Sequence, residues 1–82
     1  MRLLYFAWVR ERIGVGEEEV EVPALATVGD LLDWLSTRSP GHAAALADRS
    51  QIRVGVDQAF VQFDAGIADA SEIAIFPPVT GG

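Results

Sequence analysis

The sequence predicts one small α+β domain, in which a single amphipathic helix covers one face of a five-stranded mixed sheet. The chain has 82 residues, a length that leaves no room for a second hydrophobic core. Half of the residues are apolar, and they form five short strand-like segments and one stretch with helical spacing. Because one helix covers only one face of a sheet, the opposite face should stay open.

The N-terminal part of the chain predicts a β-hairpin. An apolar run over residues 2–9 is bounded by arginines and predicts the first strand. Gly14 and Gly16 then mark a turn. Glutamates and valines over residues 17–22 predict a second strand that Pro23 ends, with the run of glutamates on a solvated strand edge.

The main helix is predicted to begin after Thr27. This residue is a favourable N-cap, and Asp30 stands three positions later in the capping-box position. A Ser-Pro-Gly sequence at residues 39–41 ends the helix. Residues 42–49 are rich in alanine and predict a second short helix or a turn. The apolar stripe that faces the sheet consists of Val28, Leu31, Leu32 and Leu35.

Three further strands are predicted in the second half of the chain, over residues 52–56, 59–63 and 72–76. The predicted order is β-β-α-β-β-β, with the helix crossing over between the hairpin and the later strands. This order is typical of an α+β domain of the β-grasp kind. We expect the domain to span residues 1–76 and an extended tail to span residues 77–82.

Strand parity predicts which side chains lie on the open face. Alternate residues of a strand point to opposite faces, and charged positions mark the face in solvent. Four aromatic side chains and three arginines then share the open face. Exposed aromatic side chains in a group are typical of a protein interface, because soluble monomers seldom leave large apolar patches in water. The predicted partner interface consists of Phe6, Trp8, Phe60, Phe76, Arg2, Arg10 and Arg53.

The composition excludes several functional classes. The net charge of −6 argues against a nucleic-acid partner and favours basic protein surfaces. The absence of cysteine excludes a thiolate nucleophile and sulfur ligands for a metal, and we predict no metal site. No segment approaches the roughly 20 apolar residues that span a bilayer, so we expect a soluble cytoplasmic protein without a membrane partner. The single histidine, His42, is interpreted as a surface residue at a helix start rather than as a catalytic base.

The C-terminal tail carries the strongest functional signal. Pro77 and Pro78 end the last predicted strand and hold the chain extended, because their φ is fixed and neither has an N–H. Gly81 and Gly82 have no side chain and can pass through a narrow channel. The carboxylate of Gly82 can attack the α-phosphate of ATP to give an acyl-adenylate, which then reacts with a sulfur or amine nucleophile. The bland alternative is a frayed terminus without function.

Three segments together carry a family resemblance: Tyr5-Phe6-Ala7 followed by Arg10-Glu11, the helix start Thr27-Val28 with Leu31 and Leu35, and the ending Glu72-Ile73-Ala74-Ile75-Phe76-Pro77-Pro78-Val79-Thr80-Gly81-Gly82. Over essentially its full length the chain is similar to the small-subunit (MoaD) family of molybdopterin synthase, which belongs to the ubiquitin-like sulfur carriers. The proline-containing ending is the most specific part. Two departures lie in predicted turns: Ala70-Ser71 stands where the family usually has Gly-Asp, and Asp57 stands where it commonly has Asn.

The resemblance implies a sequence of chemical steps at the tail. A ubiquitin-activating-like adenylyltransferase uses ATP to adenylate Gly82, and a sulfur donor protein then leaves a thiocarboxylate on that residue. The tail enters the large subunit of molybdopterin synthase, in a heterotetramer, and donates sulfur to precursor Z (cyclic pyranopterin monophosphate). This chain is then the sulfur-donating, non-catalytic subunit and binds no cofactor by itself.

Three other functions stay open on the sequence alone. A carrier of the thiamine type shares the sulfur chemistry, although such carriers are usually shorter and lack the paired prolines. A ubiquitin-like modifier would be conjugated to lysines of other proteins through Gly82. A β-grasp interaction module with an inert tail would carry out no acyl chemistry at all.

Overall fold

The computed structural model describes residues 1–78. These residues form one mixed sheet of five strands together with three α-helices and a short 3-10 helix. The elements in chain order are β1 (Arg2–Tyr5), α1 (Ala7–Ile13), β2 (Glu17–Glu19), α2 (Val28–Leu35), α3 (Pro40–Leu46), the 3-10 helix (Arg49–Gln51), β3 (Arg53–Val56), β4 (Ala59–Val61) and β5 (Glu72–Phe76).

The strands lie in the order β2-β1-β5-β3-β4. The central pair, β1 and β5, is parallel, and every other neighbouring pair is antiparallel. Buried residues from all three α-helices join the inward side chains of the strands in one hydrophobic core. This architecture confirms the predicted α+β fold of the β-grasp kind, with a mixed five-stranded sheet. None of the helices formed by residues 1–78 is long and apolar enough to cross a membrane.

The first strand is shorter than the sequence predicts. Strand β1 ends at Tyr5, and helix α1 takes up most of the rest of the segment that we predicted as a strand over residues 2–9. Ala7 has a φ of 52°, in the left-handed region, and this turns the chain out of the sheet. The carbonyl oxygen of Phe6 then accepts the first hydrogen bonds of the helix. The predicted strand is therefore wrong beyond Tyr5.

Helix α1 forms because the apolar run continues at helical spacing. Val9 and Ile13 are four residues apart, and Val9 is fully buried in the core. Arg10 and Arg12 lie in the last turn, where their positive charges interact favourably with the negative end of the helix dipole. Gly14 ends the helix with a φ of 101°, a conformation that glycine adopts without steric cost. A short apolar run is compatible with either a strand or a helix. The arginines in the last turn and the glycine that follows favour the helix.

Helix α2 begins where its sequence signals predict, but it ends at Leu35, earlier than predicted. The Ser-Pro-Gly sequence at residues 39–41 begins α3 instead of ending α2, because Ser39 is the N-cap of α3 and Pro40 suits its first turn. The Thr27 hydroxyl accepts a hydrogen bond from the Asp30 amide at 3.2 Å, and the Asp30 carboxylate accepts one from the Thr27 amide at 3.2 Å. The predicted capping box is thus confirmed. The predicted apolar stripe is fully buried, and each leucine in it contributes about 1.5–3 kcal/mol by leaving water. That stripe consists of Val28, Leu31, Leu32 and Leu35.

Candidate functional site

The last strand leads into Pro77 and Pro78 at one end of the open face. Strand β5 lies in the middle of the sheet and ends at Phe76, and two half-buried prolines, Pro77 and Pro78, follow it. Residues 79–82 lie outside the described part of the chain. The predicted roles of Val79, Thr80, Gly81 and Gly82 therefore stay predictions.

Aromatic side chains lie around the C-terminal end of β5. Tyr5 pairs with Ile75 on one side of β5, and Arg53 pairs with Phe76 on the other. The amide of Phe6 donates to the Ile75 carbonyl at 3.1 Å, which places Phe6 beside Phe76. Because Tyr5 and Ile75 are buried on the helix side, strand alternation puts the next residues of both strands on the open face.

A second aromatic contact extends this surface towards the sheet edge. The ring centroids of Phe60 and Phe76 are 5.5 Å apart, with the ring planes tilted by 47°. Phe60 is 82% exposed and Phe6 is 48% exposed. Large aromatic side chains with that much surface in water are typical of a docking site. We call Phe6, Phe60 and Phe76 the aromatic face.

Three predicted arginines flank the aromatic face. Arg2 forms an ion pair with Glu17 at 2.9 Å, and Arg10 reaches the same groove from α1, lying against Gly16. On the opposite side, the Arg53 guanidinium donates to the carbonyl oxygens of Ile52 and Ser50 at 2.8 and 3.2 Å. Arg53 makes no ion pair with any other residue of the range 1–78. Its charge is held in place and faces solvent.

Trp8 is not part of the aromatic face, and its assignment to it was wrong. The residue lies on α1, which packs against α3, and its indole borders a groove on that side with Ala44 and Ala47. The Arg12 guanidinium lies 4.6 Å from the centroid of the Trp8 ring, as expected for a cation–π contact. Strand parity rotates side chains by 180° per residue, whereas a helix rotates them by about 100°, so the parity rule failed once the strand ended.

A polar cluster below β2 is absent from the sequence prediction. The Glu18 carboxylate accepts hydrogen bonds from the Tyr5 hydroxyl at 2.6 Å and from His42 Nε2 at 2.9 Å. His42 Nδ1 lies 2.7 Å from the Ser39 hydroxyl, which also caps α3 by accepting from the His42 amide. His42 is buried, so its interpretation as a surface residue was wrong. These partners are up to 24 residues apart in the chain, and no local sequence pattern predicts their contact.

The electrostatics of this cluster explain its protonation. Burial alone would raise the pKa of Glu18, but the hydrogen bonds from Tyr5 and His42 and the nearby Arg38 guanidinium hold it below its usual value. Burial and the hydrogen bond to Glu18 both raise the pKa of the Tyr5 hydroxyl, which stays a donor. No buried side-chain nitrogen or oxygen within residues 1–78 lacks a hydrogen-bond partner, which favours a structural role for this cluster. Within residues 1–78 no group of histidine, aspartate and glutamate side chains is arranged to hold a metal ion.

Two predicted turns meet at the start of β5. Asp57 lies in the turn between β3 and β4, and its carboxylate accepts hydrogen bonds from the amides of Ser71 and Glu72 at 3.0 and 2.9 Å. The Asp57 amide donates to the Glu72 carbonyl at 2.9 Å. The two positions that depart from the expected family pattern are therefore in contact, and together they fix the first residue of the strand that carries the tail.

Comparison with known proteins identifies the family. Residues 3–82 match the ThiS family. The chain belongs to the ThiS family. It is 39% identical to the molybdopterin synthase sulfur carrier subunit of Escherichia coli (strain K12) over 82 residues, covering all of this chain and 99% of that relative.

Solved structures of similar proteins agree with this assignment. A putative molybdopterin converting factor, subunit 1, from Pyrococcus furiosus is 30% identical with a TM-score of 0.76, over 95% of both chains. SAMP1 from Haloferax volcanii is 33% identical with a TM-score of 0.72, over all of this chain and 98% of that chain. These similarities confirm the ubiquitin-like β-grasp fold of this ThiS-family chain and the resemblance drawn from its sequence.

Proposed function

We propose that this chain carries sulfur in molybdenum cofactor biosynthesis, as the small subunit of a molybdopterin synthase. The observation that carries the proposal is the full-length similarity, at 39% identity, to a molybdopterin synthase sulfur carrier subunit. The arrangement of the site supports it, because β5 leads directly into Pro77 and Pro78 beside an exposed aromatic face. A carrier needs a surface for its partners and a thin tail, and no catalytic group of its own.

The proposed chemistry takes place on the carboxyl group of Gly82. A carboxylate oxygen attacks the α-phosphate of ATP on a ubiquitin-activating-like adenylyltransferase, and pyrophosphate leaves. Sulfur at the oxidation level of sulfide, supplied by a donor protein, then attacks the acyl carbon and displaces AMP, so that a thiocarboxylate results without a redox change. Within the large synthase subunit this sulfur passes to precursor Z, cyclic pyranopterin monophosphate, towards the dithiolene of molybdopterin. The chain supplies only the acyl group, in keeping with its lack of cysteine.

The partners in this scheme must all approach the aromatic face, because β5 leads into Pro77 and Pro78 there. Burial of Phe6, Phe60 and Phe76 supplies the apolar part of each contact. The net charge of −6 favours approach to basic regions of the adenylyltransferase and of the large subunit. The arginines near the face then contribute orientation at the rim of the contact.

Intact mass spectrometry of the protein from its native host tests the proposal. Replacement of one carboxylate oxygen by sulfur adds about 16 Da to the chain. We expect this heavier species in cells that make molybdenum cofactor, and we expect a variant that lacks Gly82 to show none of it. A wholly unmodified population in such cells would contradict the carrier role.

The similarity to SAMP1 favours a second candidate function. Small archaeal modifier protein 1 and this chain share 32% identity over 96% of this chain. A modifier would form amide bonds between Gly82 and lysines of other proteins. Denaturing gels of host lysate probed for this chain distinguish the two functions, since a modifier gives a ladder of larger conjugates and a dedicated carrier gives the free chain alone.

A further inference from the structure

The two edges of the sheet differ in charge and in what covers them. At one edge, β2 consists of three glutamates: Glu17 pairs with Arg2, Glu18 is bound by Tyr5 and His42, and Glu19 pairs with the N-terminal amine of Met1. Charged side chains on an edge strand discourage pairing with another chain. At the other edge, β4 contains alanine, phenylalanine and valine and has no charged residue. Only the β4 edge is suited to receive an additional strand.

The hairpin geometry leaves the backbone of Phe60 directed away from the sheet. Asp57 and Gln58 form a two-residue turn with φ values of 48° and 74°, as in a type I′ hairpin. In such a hairpin the flanking residues Val56 and Ala59 exchange backbone hydrogen bonds, and the next pair outward does not. The pair of Gly55 and Phe60 is that next pair, so the N–H and C=O of Phe60 point outward.

We propose that the protein which receives the C-terminal tail adds one of its own strands to β4, through the N–H and C=O of Phe60. This inference rests on the proposed function and specifies how the partner docks. The same residue presents its side chain, 82% exposed, to the open face and its backbone to the edge. A partner strand at this edge would therefore adjoin a partner contact on the aromatic face.

The charges near β4 define the chemistry of the added strand. Arg53 lies beside the groove formed by Phe60, Phe76 and Gln62, and it makes no ion pair with residues of the range 1–78. A strand with a carboxylate facing Arg53 and an apolar side chain beside Phe60 fits this edge. A second copy of the chain fits poorly, because two molecules of charge −6 repel each other and a three-residue strand buries little surface.

Backbone hydrogen exchange in the complex tests the proposal. The large subunit of molybdopterin synthase is added to the isotopically labelled full chain, and amide exchange is followed by NMR. We expect the Phe60 amide to exchange at least about tenfold more slowly in the complex, because it gains a hydrogen bond. The Val61 amide is the internal control, since it already faces Val54 in the β3–β4 ladder and should be slow in both states.

A pair of substitutions separates the backbone contact from the loss of the aromatic ring. Phe60→Ala removes the ring and keeps the N–H, whereas Phe60→Pro removes both, and proline is tolerated on an edge strand when its nitrogen faces outward. We expect Phe60→Pro to bind the large subunit about tenfold more weakly than Phe60→Ala, as the loss of one hydrogen bond predicts. The Val54 and Val61 resonances verify that each variant keeps the hairpin.

Three results would overturn the inference. If the complex forms but Phe60 exchanges at the free rate and the two variants bind equally, strand addition is wrong and the carrier function stands. If the wild-type chain forms no complex with the large subunit, both the inference and the proposed function fail. A dimer of this chain held through β4, detected by sedimentation in the absence of the large subunit, would also contradict the chosen occupant.

Discussion

The rings of Phe60 and Phe76 are in contact, with centroids 5.5 Å apart, although their strands β4 and β5 are separated by β3. On the strand between them, Gly55 pairs with Phe60, and Arg53, two residues earlier, pairs with Phe76. A Cβ atom built on Gly55 would lie 3.9 Å from a ring carbon of Phe76, so the ring of Phe76 spreads over the glycine. This contact joins the start of the tail to the edge of the sheet in one apolar surface.

Substitution of Phe60 by aspartate should separate binding from stability. Because the side chain is 82% exposed but its ring contacts Phe76, we expect Phe60→Asp to lower the free energy of unfolding by no more than about 1 kcal/mol. Its loss from a central contact should weaken binding to the large subunit by about 2 kcal/mol or more. Urea denaturation and isothermal calorimetry measure the two quantities. Val15→Asp is a matched control, because Val15 is 44% exposed and lies outside the aromatic face.

The turn that anchors β5 gives a prediction about stability. Asp57→Ala removes the acceptor for the amides of Ser71 and Glu72 and places alanine at a φ of 48°. We expect a loss of about 1–3 kcal/mol of folding free energy. Asp57→Asn keeps an acceptor oxygen and tolerates a positive φ, so its unfolding midpoint in urea should stay close to that of the wild type. Equal losses in both variants would contradict the role given to the Asp57 side chain.

Substitution of a glycine at the contact between α1 and α3 tests how closely these helices pack. A Cβ atom on Gly41 would lie 2.4 Å from the carbonyl oxygen of Arg12, so Gly41→Ala must push the two helices apart. We expect it to cost about 1–3 kcal/mol of folding free energy. Gly29→Ala in α2 is the control: its nearest new contact is 3.5 Å, and a helical alanine should be neutral or stabilising by up to about 1 kcal/mol. If residues 7–13 formed a strand, the two substitutions would not differ in this way.

The Glu18 cluster predicts how stability depends on pH. The folded-state pKa of Glu18 lies below its usual value, so its contribution is complete above the unfolded pKa of about 4.3 and is lost as pH falls through the folded pKa. Glu18→Gln should therefore be less stable than the wild type at pH 7, by about 1–3 kcal/mol. The difference should shrink below pH of about 4. Denaturant titrations at several pH values measure it, with exposed Glu21→Gln as a control that should show no such convergence.

Local signals accounted for much of the fold. The Thr27 and Asp30 capping box predicted the start of α2, and residue alternation predicted the core side of three strands. The strand predicted over residues 2–9 failed because an apolar run has no unique periodicity, and the turn at Ala7 depends on a φ that alanine seldom adopts.

The candidate site was also predicted only in part. Phe60 and Phe76 follow from parity within single strands and were predicted correctly as residues of the open face. Trp8 was misplaced because it was assigned to a strand, whereas it lies in helix α1. The contact of Glu18 with His42 joins residues 24 positions apart, and only the tertiary fold, in which α3 packs on α1, brings them together. Such long-range contacts leave no periodic signal in the sequence.

The mass of the intact chain from its native host, grown under conditions that require molybdenum cofactor, tests the central claim most directly. A gain of about 16 Da, located on the C-terminal peptide and absent when Gly81 is replaced by a bulky residue, is the predicted result. Thermal unfolding should be the same for that variant and the wild type, because the tail lies outside the predicted domain. A single unmodified mass in cells that are actively making the cofactor would contradict the carrier function.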